Sequence, residues 1–458
     1  MKRRDVFKLV PLTLAGIGGL ATRAGAMEKF TKKVGGWEDL PLPLMYPQLI
    51  QDMIGWVRKN QAENILEAGY AISRAVRKGN TCWINWDQGH STQGEMFAGR
   101  HGMPEFLTHG YNPKTSKDGD LLMASRIISE AGFADAAQKD IYVIGAPSPW
   151  SGDARGFQHV SPDIQSLKIR SISDLWIETN ITSYGAVLEL PGMPAPMGPV
   201  SGPVYMAIMW MAMADACRAL AIEGKPMPIM GDEPDLGGRT NYIDLDEPLM
   251  IRYLDDTMRE LGLIGSELGS IRKIASMAAD TLLDGGTVYH YSRYSMTYRG
   301  EANGRRGGLA LARGLSDGDI QGTSKDCVIM GVFQPDDPVD LKNLDEFKKR
   351  GMRIASIGPI TRNFAIPEGR CVHKEVEAHA GRMSDTYGLY AIPGFKKKVC
   401  PTSGLTMIAV HWAMSLALVE EIKERTGGDV PGVHFSGALK WGSEFNARVR
   451  AMQQDRGY

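Results

Sequence analysis

Apolar positions along the chain alternate between two spacings. Residues 47–76 carry apolar side chains at helical spacing and end on Lys78-Gly79, a C-cap signal, so a long helix is expected there. Short continuous apolar runs follow at 81–86, 120–124, 141–144 and 175–178. Runs of this length without polar alternation mark strands buried on both faces. Residues 91–99 read as a helix start and body, and 201–222 as a long apolar helix with Ser201 at its N-cap. The order then begins again, with strands at 288–291, 327–332 and 353–357 and a helix capped by Ser403. Buried strands alternating with helices predict doubly wound α/β units with parallel sheets. In such sheets ligands sit beyond the C-terminal strand ends.

The second round of elements is a copy of the first. GEMFAGRHG from Gly94 and GEANGRRGG from Gly300 stand 206 positions apart, and the same offset pairs Arg100 with Arg306, Gly79 with Gly285 and Asp120 with Asp326. SYGAVLELPG from Ser183 matches TYGLYAIPG from Thr386, and PVSGPVYMAIMWMAM from Pro199 matches PTSGLTMIAVHWAM from Pro401. A period this long means tandem domains rather than a solenoid. The expected organisation is a leader (1–26), one unit over 46–245 and a second over 246–458.

Composition narrows the function classes. The chain has 458 residues, with Lys+Arg 52 against Asp+Glu 53, and this balance argues against a nucleic-acid binder. The five cysteines are scattered without a CxxC, which excludes a zinc ribbon or a disulfide scaffold. No internal stretch reaches the ~18 continuous apolar residues of a membrane span. At the N-terminus, Arg3-Arg4, a mildly apolar stretch and Ala24-Gly25-Ala26 read as a twin-arginine leader, so a periplasmic or otherwise exported location is expected.

The loop after the first strand carries the candidate chemistry. Gly89 lets backbone approach a ligand, Ser91 heads a helix whose N–H groups suit an anion or a sugar hydroxyl, and Glu95 lies on the same helical face. The string GHSTQGEMFAGRHG resembles the SIS (sugar isomerase) domain family, in particular stand-alone members with a G-H-S-x(3)-E-x-F-x-x-R-x-G segment; Gly89, His90, Ser91, Glu95, Phe97, Arg100 and Gly102 match it. SDLWIETNITSYGAVLELPG followed by MGPVSG, and the tail SGALKWGSEFN from Ser436, are similar to two further segments of those proteins. The resemblance implies two SIS-type units, each a five-stranded parallel sheet between helices, forming an internal pseudo-dimer with a sugar or phosphosugar between them. Two departures stand out. Where many SIS domains carry an S-x-S-G-x-T phosphate loop, this chain has Ala124-Ser125-Arg126-Ile127 and Gly331-Val332-Phe333-Gln334-Pro335. In the second unit Ser295-Met296-Thr297 replaces Gly89-His90-Ser91, although Glu301 and Arg306 persist. One functional site is therefore expected rather than two equal ones.

The resemblance implies an aldose–ketose isomerase or a lyase, with Glu95 as the base that takes a proton next to a sugar carbonyl and His90 as a donor to oxygen. The alternative is an exported sugar-binding or sensor protein without chemistry. Glu95 can equally be a structural carboxylate pairing Arg100, one turn on, and His90 a loop hydrogen bonder. Gly89, Ser91, Arg100, Glu178, Ser201, Glu301, Arg306 and Ser403 are the candidate sugar-binding residues, with plain capping the alternative for the serines. No cofactor is called for. The expected partner is a small sugar or sugar derivative, with no nucleic acid, no membrane span after leader removal, and homo-oligomerisation left open. His373, Glu375, Glu377 and His379 alternate and on one strand would share a face able to hold a divalent metal; an exposed edge strand of alternating charge is the plainer reading.

Overall fold

The apolar runs form two parallel sheets, and the long apolar helices fill the space between them. The computed structural model describes residues 40–85, 94–95, 100–125, 129–146, 164–181, 186–188, 190, 196–231, 236, 242–293, 296–302, 308–310, 312–362, 365–384, 387–428, 444, 446–449 and 451. The leader, the Gly89-His90-Ser91 turn, Arg306 and most of the closing segment from Ser436 lie outside these residues.

In chain order the first half comprises α1 (Leu42–Arg77), β1 (Cys82–Asn85), β2 (Leu107–His109), β3 (Leu121–Ala124), α2 (Glu130–Gln138), β4 (Tyr142–Gly145), α3 (Ile164–Ile172), β5 (Leu175–Trp176), a short β6 (Ala186–Leu188) and β7 (Met197–Pro199) ribbon, and α4 (Ser201–Ile222). The second half comprises α5 (Leu249–Leu263), α6 (Leu268–Leu283), β8 (Val288–Tyr291), α7 (Met296–Ala302), β9 (Ala312–Leu315), β10 (Cys327–Gly331), α8 (Pro338–Lys349), β11 (Arg353–Gly358), β12 (Ala378–Gly381) and α9 (Ser403–Thr426). The sheets run β2-β1-β3-β4-β5 and β12-β11-β10-β8-β9, each with five strands and all pairings parallel. This is the sheet architecture that the resemblance implies. The edge strands β2 and β9 and the β6–β7 ribbon carry too little apolar pattern to be read beforehand.

The duplication is visible bond by bond. Asp120 Oδ1 accepts from Thr81 N (2.9 Å), and Asp326 Oδ1 accepts from Thr287 N (2.7 Å). Tyr46 donates to Pro199 O (2.6 Å) and Tyr253 to Pro401 O (3.2 Å). Asn180 and Met383, each just beyond the last strand of its sheet, share the left-handed conformation (φ 55° and 62°). α4 and α9 are long and apolar enough to cross a membrane by composition, yet 89% of each apolar window is buried inside the protein. They are core helices, and one continuous apolar cluster joins them to α1 and to both sheets.

Ser201 and Ser403 are the first helical residues rather than the N-caps; Val200 and Thr402 occupy the cap positions, and neither helix has a side-chain cap. This corrects the capping expectation. The Ser403 hydroxyl is directed elsewhere, as described next.

Candidate functional site

The two halves meet where the residues after β1 reach α7. A Cβ on Gly94 would lie 2.4 Å from Thr297 N, so only glycine permits this approach. Glu95 follows and is buried, 2% exposed. Arg100, 1% exposed, donates to Glu95 Oε2 through Nε (3.0 Å) and Nη2 (2.6 Å). Trp210 Nε1 reaches the same oxygen at 3.3 Å, and Thr297 Oγ1 donates to Oε1 at 3.0 Å. Arg100 Nη2 also donates to Ser403 Oγ (3.0 Å). A Cβ on Gly404 would lie 2.1 Å from Glu95 Oε1, so the carboxylate rests against the first turn of α9, where the helix dipole favours negative charge. One ion pair from the first half is thus gripped by Thr297, Ser403 and Gly404 of the second.

The second sheet supplies the remaining wall from its C-terminal strand ends. Phe333 and Gln334 lie just after β10. The Arg100 guanidinium carbon is 4.9 Å from the Phe333 ring centre, and Arg382, just after β12, is 5.1 Å from it. Arg382 donates to the carbonyls of Val332 (3.2 Å) and Phe333 (3.0 Å). The His101 ring stacks on Phe333 (5.2 Å, 19°), meets Tyr387 edge-on (5.0 Å) and has Gln334 Nε2 3.2 Å from its Nε2.

Glu260 on α5 completes this neighbourhood. It is 5% exposed, and its Oε2 has no hydrogen-bond partner among the described residues. Burial pushes its carboxyl up to about 8; Asp256 adds to the rise, while the nearby Thr402 hydroxyl, Arg259 and Arg382 oppose it. A raised acid is protonated in the folded chain and ionised in the unfolded one between these ranges. Its contribution is fully present below the ordinary 4.5 and is lost as pH rises towards about 8. Glu260→Gln should therefore gain in melting temperature relative to the parent as pH climbs through that window. A difference that does not change with pH contradicts this.

Among the residues singled out in the sequence, the fold joins Glu95, Arg100 and Ser403 directly. Glu301 is the counterpart of Glu95 in its own unit: Trp412 Nε1 reaches its Oε2 at 3.2 Å, as Trp210 reaches Glu95. Ser201 is buried at the start of α4. Glu178 lies past β5, its N–H donating to Gln61 Oε1 (3.0 Å), three strands from β1 and so about 14 Å across the sheet at the usual spacing. Gly89, His90, Ser91 and Arg306 fall outside the described residues. The 373–379 alternation does not form one strand face. His373 sits in a 3₁₀ turn (Val372–Lys374) and only His379 lies in β12. Glu375 is bound by Arg370 and Lys348, and Glu377 by Arg353, so neither carboxylate turns towards the histidines. Sequence reasoning missed His101, Phe333, Gln334, Arg382 and Glu260. Trp210 and Trp412 stand at matching places in the repeated segments that begin at Pro199 and Pro401, and that match is the available signal.

No family model matches the chain, and no curated protein matches it. Solved structures are similar in backbone course. The C-terminal domain of glucosamine-fructose-6-phosphate aminotransferase from Francisella tularensis is 10% identical, over 87% of this chain and 99% of that one, with a TM-score of 0.46. A Salmonella typhimurium protein described as sugar-binding is 10% identical over 83% and 99%, TM-score 0.42. A Silicibacter pomeroyi protein described as a phosphosugar isomerase is 11% identical over 85% and 99%, TM-score 0.41.

Proposed function

We propose that this chain is an exported protein that binds one sugar or sugar derivative in the crevice between its two units. The observation that carries the reading is the buried Glu95–Arg100 pair held by Ser403 and Thr297 at strand ends of both halves. It lies where the chain emerges from the C-terminal end of β1, the place where doubly wound sheets receive ligands, and Gly89, His90 and Ser91 precede it in the sequence. His101, Gln334 and Phe333, packed on one another beside Arg100, are polar and aromatic side chains of the kinds that line sugar sites. Both oxygens of Glu95 are engaged, so in this arrangement it positions the crevice. Glu178, Ser201, Glu301 and Arg306 are carried as further sugar-binding candidates on their sequence pattern.

Isomerisation or lyase chemistry is the second reading. It is favoured by one observation: a carboxylate buried at a strand-end junction, five residues after His90 in the sequence. It requires Arg100 to release Glu95 when substrate binds, so that Oε2 can take the proton next to the carbonyl. The full chain should be screened against free and phosphorylated sugars by thermal shift. Each sugar that stabilises it is then incubated in D2O and examined by NMR. Stabilisation with no deuterium uptake is the expected result. Deuterium at the carbon beside the carbonyl, lost in Glu95→Gln, establishes proton abstraction instead. No stabilisation by any sugar overturns both readings.

A further inference from the structure

The edge of the second sheet holds a pair of histidines that the crevice does not use. His373 and His379 have ring centres 5.5 Å apart with planes inclined at 50°. His379 Nδ1 lies 2.8 Å from Ser356 Oγ, on the neighbouring strand and in register with it. His379 Nε2 and His373 Nδ1 are both buried and have no hydrogen-bond partner among the described residues. Buried polar atoms are nearly always satisfied, so two orphaned ring nitrogens on adjacent imidazoles need a reason.

The first unit shows what ordinarily fills this place. By strand register His379 corresponds to Trp176, and Ser356 to Gly145. There the Arg170 guanidinium lies over the Trp176 ring at 5.0 Å, closing the sheet edge by a cation–π contact. The second unit has two imidazoles and a hydroxyl in its place.

We propose that His373 Nδ1 and His379 Nε2 together bind a first-row transition dication such as zinc. Imidazole nitrogen is a preferred ligand for these ions. Two imidazoles holding one tetrahedral ion at about 2.1 Å from each nitrogen place their ring centres about 5.3 Å apart, close to the observed separation. In the tautomer that carries its proton on Nδ1, beside Ser356 Oγ, His379 presents Nε2 as a lone pair, the outer-shell arrangement typical of metal-bound histidine. Among the described residues no group of three or more histidine, cysteine or acidic side chains forms a metal-binding set, so water completes this site. Glu375 and Glu377 remain with their arginines.

The test uses the untagged full chain, stripped with a chelator and titrated with Zn2+ alone against a chromogenic competitor. One ion per chain is expected. His373→Gln and His379→Trp, the latter restoring the first unit's residue, should each weaken binding at least about tenfold. Ser356→Ala removes only the hydroxyl and is the variant least able to disturb folding; it should weaken binding about tenfold while leaving the circular dichroism unchanged. Absence of a bound ion, or unchanged affinity in the His373→Gln/His379→Gln double variant, overturns the proposal.

Discussion

Arg100→Leu should cost the folded chain about 3–5 kcal/mol, the largest loss expected of any single side chain at the junction. The change leaves Glu95 as a buried carboxylate with, among the described residues, the Thr297 hydroxyl and the Trp210 indole to satisfy it. Breaking one side of a buried pair is far more damaging than removing both, because the remaining charge stays desolvated. The double variant Arg100→Leu/Glu95→Gln should therefore recover more than half of the loss. Denaturant unfolding of the four proteins gives the coupling directly. A loss below about 1 kcal/mol, the range of surface pairs, means that the pair is not what joins the halves.

Gly404→Ala is the second large effect. Its Cβ would stand 2.1 Å from Glu95 Oε1, with the carboxylate already held from the other side by Arg100. Extra carbon in a tight site ordinarily costs about 1–3 kcal/mol, and here the atom that must yield is a charged oxygen with its partners in place, which sets the expectation at the upper end. Gly269→Ala on α6 is the control: no atom lies within 4 Å of its added Cβ, and helix propensity favours the change by up to about 1 kcal/mol. Equal effects at the two glycines would show that Glu95 does not rest on α9 as described.

Much of the architecture was legible in the chain because burial on both faces leaves a plain signature. The runs that became β1, β3, β4, β8, β10 and β11 are mostly apolar and almost wholly buried, and their order repeats. The edge strands β2 and β9 were not, since Leu107–His109 and Ala312–Leu315 are partly exposed and mix polar with apolar residues. At the site, the link of Glu95 to Arg100 followed from spacing along one chain segment. The grip of Thr297 and Ser403 on that pair did not, because contacts across about 200 and 300 residues have no local pattern. Phe333, Gln334 and Arg382 were passed over for the same reason: each acquires meaning only when strand ends of the second sheet are brought against residues 100 and 101. Glu260 was hidden inside an amphipathic helix, where a lone glutamate reads as a solvated charge.

Calorimetric titration of the parent chain and of His101→Ala with the most stabilising sugar tests the shared crevice most directly. One molecule bound per chain, with affinity at least about tenfold weaker in the variant, is the outcome required by a ligand seated against residues 100 and 101. Two equal sites per chain, or binding indifferent to the imidazole, would contradict it.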